Sequence, residues 1–217
     1  MSTDLLPLLG NATLQTLQMV LLSGLLATLF GLPLGILLHL TKKGELLQNP
    51  TLHNVVGIAV NIGRSVPFII LLVAIIPFTR FVVGSSIGTL AAVVPLTIGA
   101  IPFIARLIEG ALIEVPAGLV EAAQAMGADT KQTIINVLLP EALPGIINSI
   151  TITLVTLVSY SAMAGVVGGG GLGDVGIRYG YYRFELDVML ATIAILLVLV
   201  QLLQSCGDAI VRRIDHR

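Results

Sequence analysis

Charged residues are scarce in this chain. Asp, Glu, Lys and Arg make up 11% of its 217 residues, against about 25% in an average soluble protein. A soluble domain of this size could not cover its surface with so few, which excludes an ordinary cytosolic enzyme. The formal net charge of -1 leaves no basic field to attract nucleic acid. Tryptophan is absent and aromatics reach only 5%, so a platform for stacking bases is missing as well. The single cysteine, Cys206, excludes an internal disulfide, a disulfide scaffold and any metal site built from several thiolates. What the chain has instead is apolar: 56% of its residues are hydrophobic and the mean hydropathy is +1.02. That is too apolar for a disordered chain and points to the lipid bilayer.

A helix that crosses a bilayer needs about 20 mostly apolar residues. Stretches free of Asp, Glu, Lys and Arg cover residues 5–41, 65–79, 81–105, 142–173 and 188–207. Dividing the apolar sequence at its turn residues predicts five transmembrane helices, near residues 14–40, 58–83, 89–112, 143–167 and 188–211. The Gly84-Ser85-Ser86-Ile87-Gly88 stretch is the break between the second and third, which should form a tight antiparallel pair. Prolines inside the spans, such as Pro33, Pro67, Pro95 and Pro102, are tolerated where neighbours satisfy the freed carbonyls.

Lys and Arg near the span ends set the orientation. Lys42, Lys43, Arg106, Lys131, Arg212, Arg213 and Arg217 fall on one side, and Arg80, Arg178 and Arg183 on the other. The richer side should be cytoplasmic, which places the N-terminus outside and the C-terminus inside. The first residues carry only Asp4 as a charge, unlike the basic n-region of a signal peptide.

The segment at about 114–141 is expected to be cytoplasmic and carries the sharpest signal. Pro116 suits the start of a helix. Leu119, Ala123 and Met126 recur at i, i+4 and i+7, giving an apolar stripe. Gly127 stands where a left-handed residue would end that helix. Asp129 and Gln132 have the spacing of a capping box, opening a second helix that should run to Leu139 and stop at Pro140. Residues 116–128 contain no base and one acid, Glu121. A helix lying on a membrane surface is usually basic on its polar face, so a slim helix docking into a groove of another protein is the better reading.

Glu121-Ala122-Ala123, then Gly127, then Val137-Leu138-Leu139-Pro140 resembles the EAA loop of permease subunits of bacterial ABC importers, with Val137 where the family prefers Ile. Further stretches narrow the resemblance: Asn61-Ile62-Gly63-Arg64-Ser65-Val66-Pro67-Phe68, Pro102-Phe103-Ile104-Ala105-Arg106, Tyr160-Ser161-Ala162-Met163-Ala164-Gly165 and Gly170-Gly171-Leu172-Gly173. Together they resemble the permease subunits of methionine ABC importers over nearly the whole chain. The resemblance implies one all-α, polytopic permease domain of the type I importer fold over residues 1–217. In that family the EAA loop forms a coupling helix that docks into the ATPase subunit. By resemblance Glu121, Ala122, Ala123 and Gly127, with Leu119 and Met126 on the same helix, would carry the contact. The implied assembly is a homodimer in the bacterial inner membrane with two ABC ATPase subunits and a periplasmic or lipid-anchored methionine-binding protein. ATP and Mg would bind the ATPase, and this chain would be no enzyme itself. The implied cargo is L-methionine and D-methionine. A permease for another amino acid or small organic solute is the alternative.

Other features read less directly. Gly168-Gly169-Gly170-Gly171-Leu172-Gly173 satisfies G-x-G-x-x-G by letter, but a membrane helix precedes it where a dinucleotide fingerprint needs a strand. It is expected to be a close-packed turn on the outer side. His39, His53 and His216 show no metal spacing and should be solvated or interfacial. Cys206 should be a small buried apolar residue. Gly31-Leu32-Pro33-Leu34-Gly35 suits close packing against a neighbouring helix. Arg64 is a functional candidate, as any intramembrane charge is. A straight span over residues 58–83 would nevertheless reach about 39 Å, letting Arg64 snorkel at the inner interface. Thr153, Thr156, Tyr160 and Met163 recur at helical spacing. Either this face lines the translocation path, with Met163 closing it, or its hydroxyls bond neighbouring helices. A membrane-embedded enzyme would need polar catalytic groups within the spans, and a secondary transporter an intramembrane acid or inverted repeats. Neither pattern is found.

Overall fold

A computed structural model describes residues 5–214; Asp4, His216 and Arg217 lie outside the described residues. Those described are mostly helical, without a strand. The first apolar run forms α1 (Leu5–Thr41), nine residues longer at its start than expected, because nothing from Leu5 onward breaks it. It packs mainly along α5 (Thr89–Ile113). Gly31 and Gly35 form that seam: a Cβ on either would overlap Ile104 or Ile108.

The second span is where the expectation needs correcting. Residues 58–83 do not form one helix. Asn49 accepts a hydrogen bond from Leu52 N–H and caps α2 (Pro50–Ser65), with Pro50 in its first turn. The chain then turns by 98° into α3 (Phe68–Ala74). The cause is Pro67: the residue before a proline is driven out of the helical region, and Val66 takes ψ 123°. A third piece, α4 (Ile76–Val83), follows and ends at Gly84 with φ 80°. Among the described residues four helices are long and apolar enough to cross a membrane, and counting the bent α2–α3 pair as one span gives five. Pieces α3 and α4 do touch α5, but its main partner is α1, so the tight antiparallel pair is not the dominant contact.

Next comes a short helix, α6 (Ala117–Ala125), and then α7 (Thr130–Thr133). Pro140 does not stop the chain, contrary to expectation. A π-helical turn at Ile134–Leu138 leads directly into α8 (Leu139–Ala164). Pro140 falls in the first turn of α8, where a missing N–H costs least. A second π turn (Gly165–Gly169), α9 (Gly171–Val175) and a third π turn (Gly176–Tyr181) connect to α10 (Leu186–Ile214).

Helices α1, α5 and α8 meet around a core that includes Met19, Leu96, Ile104, Ile108, Leu138 and Leu157. The outside is also apolar: Leu25, Leu29, Phe30, Leu197 and Leu202 are exposed. Only 17% of the most apolar stretch of α10 is buried, the pattern of a helix whose other faces meet lipid. Cys206, expected to be buried, is exposed on this helix.

The Gly-rich segment is a close-packed turn. Gly170 and Gly171 have φ 79° and 78°, which side chains strongly disfavour. The N–H of Gly171 donates to Gln15 Oε1 at 2.8 Å, and that of Leu172 to Thr16 Oγ1 at 2.9 Å. Both Thr16 and Leu172 are buried. Replacing Thr16 with Val keeps the shape but orphans the Leu172 N–H, at a cost of about 1–3 kcal/mol. The expected outcome is a lower thermal unfolding midpoint of the purified protein; an unchanged midpoint contradicts this role.

Candidate functional site

The candidate coupling element is built from helix signals in its own sequence. At the end of α6, Gly127 takes φ 85°. Its N–H donates to Gln124 O at 2.9 Å, and Ala128 N–H donates to Ala123 O at 3.1 Å. This pair of bonds is the Schellman termination, which needs a left-handed residue at the Gly127 position. Two residues on, Asp129 Oδ1 accepts from Gln132 N–H at 2.7 Å, and Gln132 Oε1 accepts from Asp129 N–H at 2.9 Å. The capping box starts α7 as the spacing foretold.

The α6 surface divides in a way the sequence did not resolve. Ala123 is buried, and Val120 packs against the main core beside it. Leu119, Glu121, Ala122 and Met126 are exposed, Met126 at 82%. The expected Leu119–Ala123–Met126 stripe is therefore not one outward face. Ala123 seats the helix, while Leu119, Ala122 and Met126 are left for another surface. A cavity of 460 Å³ lies behind α6, bordered by His39, Lys42, Glu45 and Glu121. His39, expected to be solvated or interfacial, is buried, with Nε2 3.5 Å from Glu45 Oε2. His53 Nδ1 meets Leu38 O at 3.0 Å, tying α2 to the end of α1.

The four candidate gate residues do not share one environment. Thr153 is buried, Thr156 half-buried, and Met163 44% exposed beside Met189 and Ile193. Tyr160 stacks flat on Phe68, with ring centroids 4.5 Å apart and planes 2° apart. The hydroxyls do not bridge helices. Thr153 donates to Ser149 O, Thr156 to Ile152 O and Thr151 to Ile147 O, each one turn back on α8. Such back-bonding satisfies a hydroxyl in an apolar setting without a partner helix.

One network escaped the sequence reading. Arg106 Nη1 donates to Glu109 Oε2 at 2.5 Å, and Nη2 reaches Asn61 Oδ1 at 3.0 Å and Gly57 O at 3.3 Å. The buried Glu109 thus orients the arginine that fastens α5 to α2. The Arg-x-x-Glu spacing was the available signal, since i and i+3 share a helix face. The straight span expected around Arg64 does not exist, because α2 ends at Ser65, and Arg64 is exposed in its last turn. It borders a small cavity with Phe68, Phe103 and Tyr160. Among the described residues, no group of three or more His, Cys, Asp and Glu side chains is arranged to hold a metal.

Comparison with known proteins agrees with this architecture. Residues 31–217 match the family described as binding-protein-dependent transport system inner membrane components. A probable D-methionine transport system permease protein of Vibrio cholerae is 65% identical over 210 residues, covering 97% of this chain and 93% of the relative. The D-methionine transport system permease protein of Escherichia coli K12 is 55% identical over 165 residues, 76% of each chain. A chain of the MetNI methionine ABC transporter, solved in inward-facing conformations, superposes with a TM-score of 0.97 at 52% identity over the full length of both. A chain of an amino acid ABC transporter solved with histidines shares the fold, with a TM-score of 0.79 at 20% identity over 98% of this chain and 100% of that one.

Proposed function

This chain belongs to the binding-protein-dependent transport system inner membrane components, and on that premise we propose that it is the permease subunit of an ATP-driven importer that carries L- and D-methionine across the bacterial inner membrane. The observation that carries this reading is the end-to-end agreement with the permease chain of a methionine transporter, at 52% identity and a TM-score of 0.97. A permease for another amino acid is the alternative.

The mechanism follows from the placement of α6. One chain offers one such helix, and five spans are few to enclose a path, so the working unit is a homodimer with its two-fold axis along the path. Two ABC ATPase subunits bind ATP and Mg and each receives one α6. Leu119, Glu121, Ala122 and Met126 make that contact, Ala123 anchors the helix from behind, and Gly127 sets its exit. The excess of Lys and Arg puts this side in the cytoplasm. ATP binding draws the ATPases together and moves both α6 helices.

Pro140 lies within the first turn of α8 and does not end the helix. A helical path from Thr130 to Ala164, passing through the π turn at Ile134–Leu138, joins α7 to α8, so motion at the loop passes into α8. Met163 stands about 50 Å along that path at 1.5 Å per residue. The assembly rocks between inward-open and outward-open states, and ATP and the loaded binding protein both favour the latter, shifting the population. Met163 helps close the path. Met163→Ala is expected to raise basal ATP hydrolysis in proteoliposomes, and unchanged hydrolysis contradicts a gating role.

The test of the cargo is uptake of labelled L-methionine at low external concentration by cells that lack this gene, with and without its restoration. Restored uptake that unlabelled methionine blocks is expected. No restoration by a membrane-inserted protein moves the cargo to another small solute.

A further inference from the structure

The corner between α2 and α3 holds an arginine without a partner. Arg64 lies in the last turn of α2, about 21 Å along the helix from Pro50. That is well into a hydrocarbon core of about 30 Å if α2 starts at its edge. Among the described residues Arg64 makes no hydrogen bond or ion pair. Arg106, by contrast, is held by Glu109 and Asn61. Arg64 is exposed, so its guanidinium is open to a ligand, and a charge within a membrane span is a functional candidate.

The surroundings specify the ligand. Arg64 borders a cavity of 220 Å³ whose other walls include Phe68, Phe103 and Tyr160. That space is on the scale of one small solute. The stacked Phe68–Tyr160 pair forms a flat aromatic wall. Gly99 keeps the space open, since a Cβ there would stand 3.3 Å from Leu71 and 3.4 Å from the Phe68 ring. A guanidinium at one side suits a carboxylate, which it binds by paired charge-assisted hydrogen bonds. Aromatic rings suit a thioether sulfur.

We propose that this cavity is a transient subsite for the transported amino acid, in which Arg64 takes the α-carboxylate and the Phe68, Tyr160 and Phe103 rings take the thioether side chain. The inference rests on the methionine-importer reading and adds the place in this chain where cargo is held. A site that must also release its cargo is served by one charge contact and weak ring contacts. Tyr160, one of the sequence-derived path residues, is a wall of the same cavity.

The test uses membranes holding the assembled transporter, in a Cys206→Ser background, with a cysteine placed at the cavity as Val66→Cys or, independently, Leu71→Cys. Alkylation by a maleimide is timed with and without millimolar L-methionine. Methionine is expected to slow alkylation severalfold, and methioninol, which has an alcohol in place of the carboxylate, is expected not to. Arg64→Gln should weaken the protection about tenfold or more, the loss of a charge-assisted hydrogen bond, and Arg64→Lys should restore part of it. Equal protection by methioninol, or none by methionine in membranes that still take methionine up, overturns the subsite and leaves the importer reading intact. If the importer reading itself fails, the unmodified transporter takes up no methionine, which is seen before any cysteine is introduced.

Discussion

Gly127→Val is expected to reduce ATP-driven transport to less than a tenth while the protein still folds and inserts. Gly127 holds φ 85°, and no atom lies within 4 Å of where a Cβ would stand. The effect is therefore conformational rather than steric. A left-handed conformation costs an ordinary residue about 1–2 kcal/mol, and a β-branched one suffers most. An energy of that size is a factor of roughly 5–30 in population. It falls on the two bonds that finish α6, from Gly127 to Gln124 and from Ala128 to Ala123. Losing them frays the turn that carries Ala122 and Met126 and misdirects the exit toward Asp129. Gly127→Asn is the control, because asparagine tolerates the left-handed region; it should keep most of the transport. Uptake by membranes with equal amounts of each variant checks this, and full uptake by the valine variant contradicts the coupling role of the turn.

Glu109→Ala is expected to be the most destabilising single change at the α2–α5 seam. The Glu109 side chain is 8% exposed and that of Arg106 is 23% exposed, so the pair is largely removed from water. Deleting one member of a buried pair typically costs about 3–5 kcal/mol, since the other charge is stranded. The partial exposure of Arg106 places the expected loss near the lower end, about 3 kcal/mol, or roughly 10 °C in thermal midpoint for a chain of this length. The double replacement Arg106→Met with Glu109→Leu should recover much of the loss, because two apolar groups strand nothing. Thermal unfolding of the purified protein in detergent reads both. A double variant as unstable as Glu109→Ala contradicts the pair as the cause.

The parts of the fold that were legible in the sequence are those decided locally. Charge-free runs located α1, α5, α8 and α10 to within a few residues, except at the start of α1. Asp129 with Gln132, and Gly127 after α6, behave as their spacing foretold, because a cap and a left-handed turn depend on a handful of neighbouring residues. The broken second span was missed because the charge-free run over residues 65–79 outweighed Val66-Pro67, although the Asn49-Pro50 start was also written in the chain. Pro140 was read as a stop, yet the π turn before it let the helix continue.

The least legible features depend on distant residues. Nothing near Ala123 says that it faces Val120's core rather than open space. Thr153 and Met163 share a spacing on α8, but the packing of other helices buries one and exposes the other. The setting of Arg64 requires Tyr160, which is 96 positions away in the sequence, stacks on Phe68 and lines the same cavity.

ATP-driven movement of methionine is the function proposed for this chain with an ABC ATPase. Its most direct test is accumulation of labelled L-methionine by proteoliposomes that contain the purified assembly and the loaded binding protein, with ATP on the α6 side. Accumulation above the supplied concentration, lost without ATP and lost with Gly127→Val, is the predicted result. Methionine that only equilibrates across the membrane, whether or not ATP is present, would contradict it.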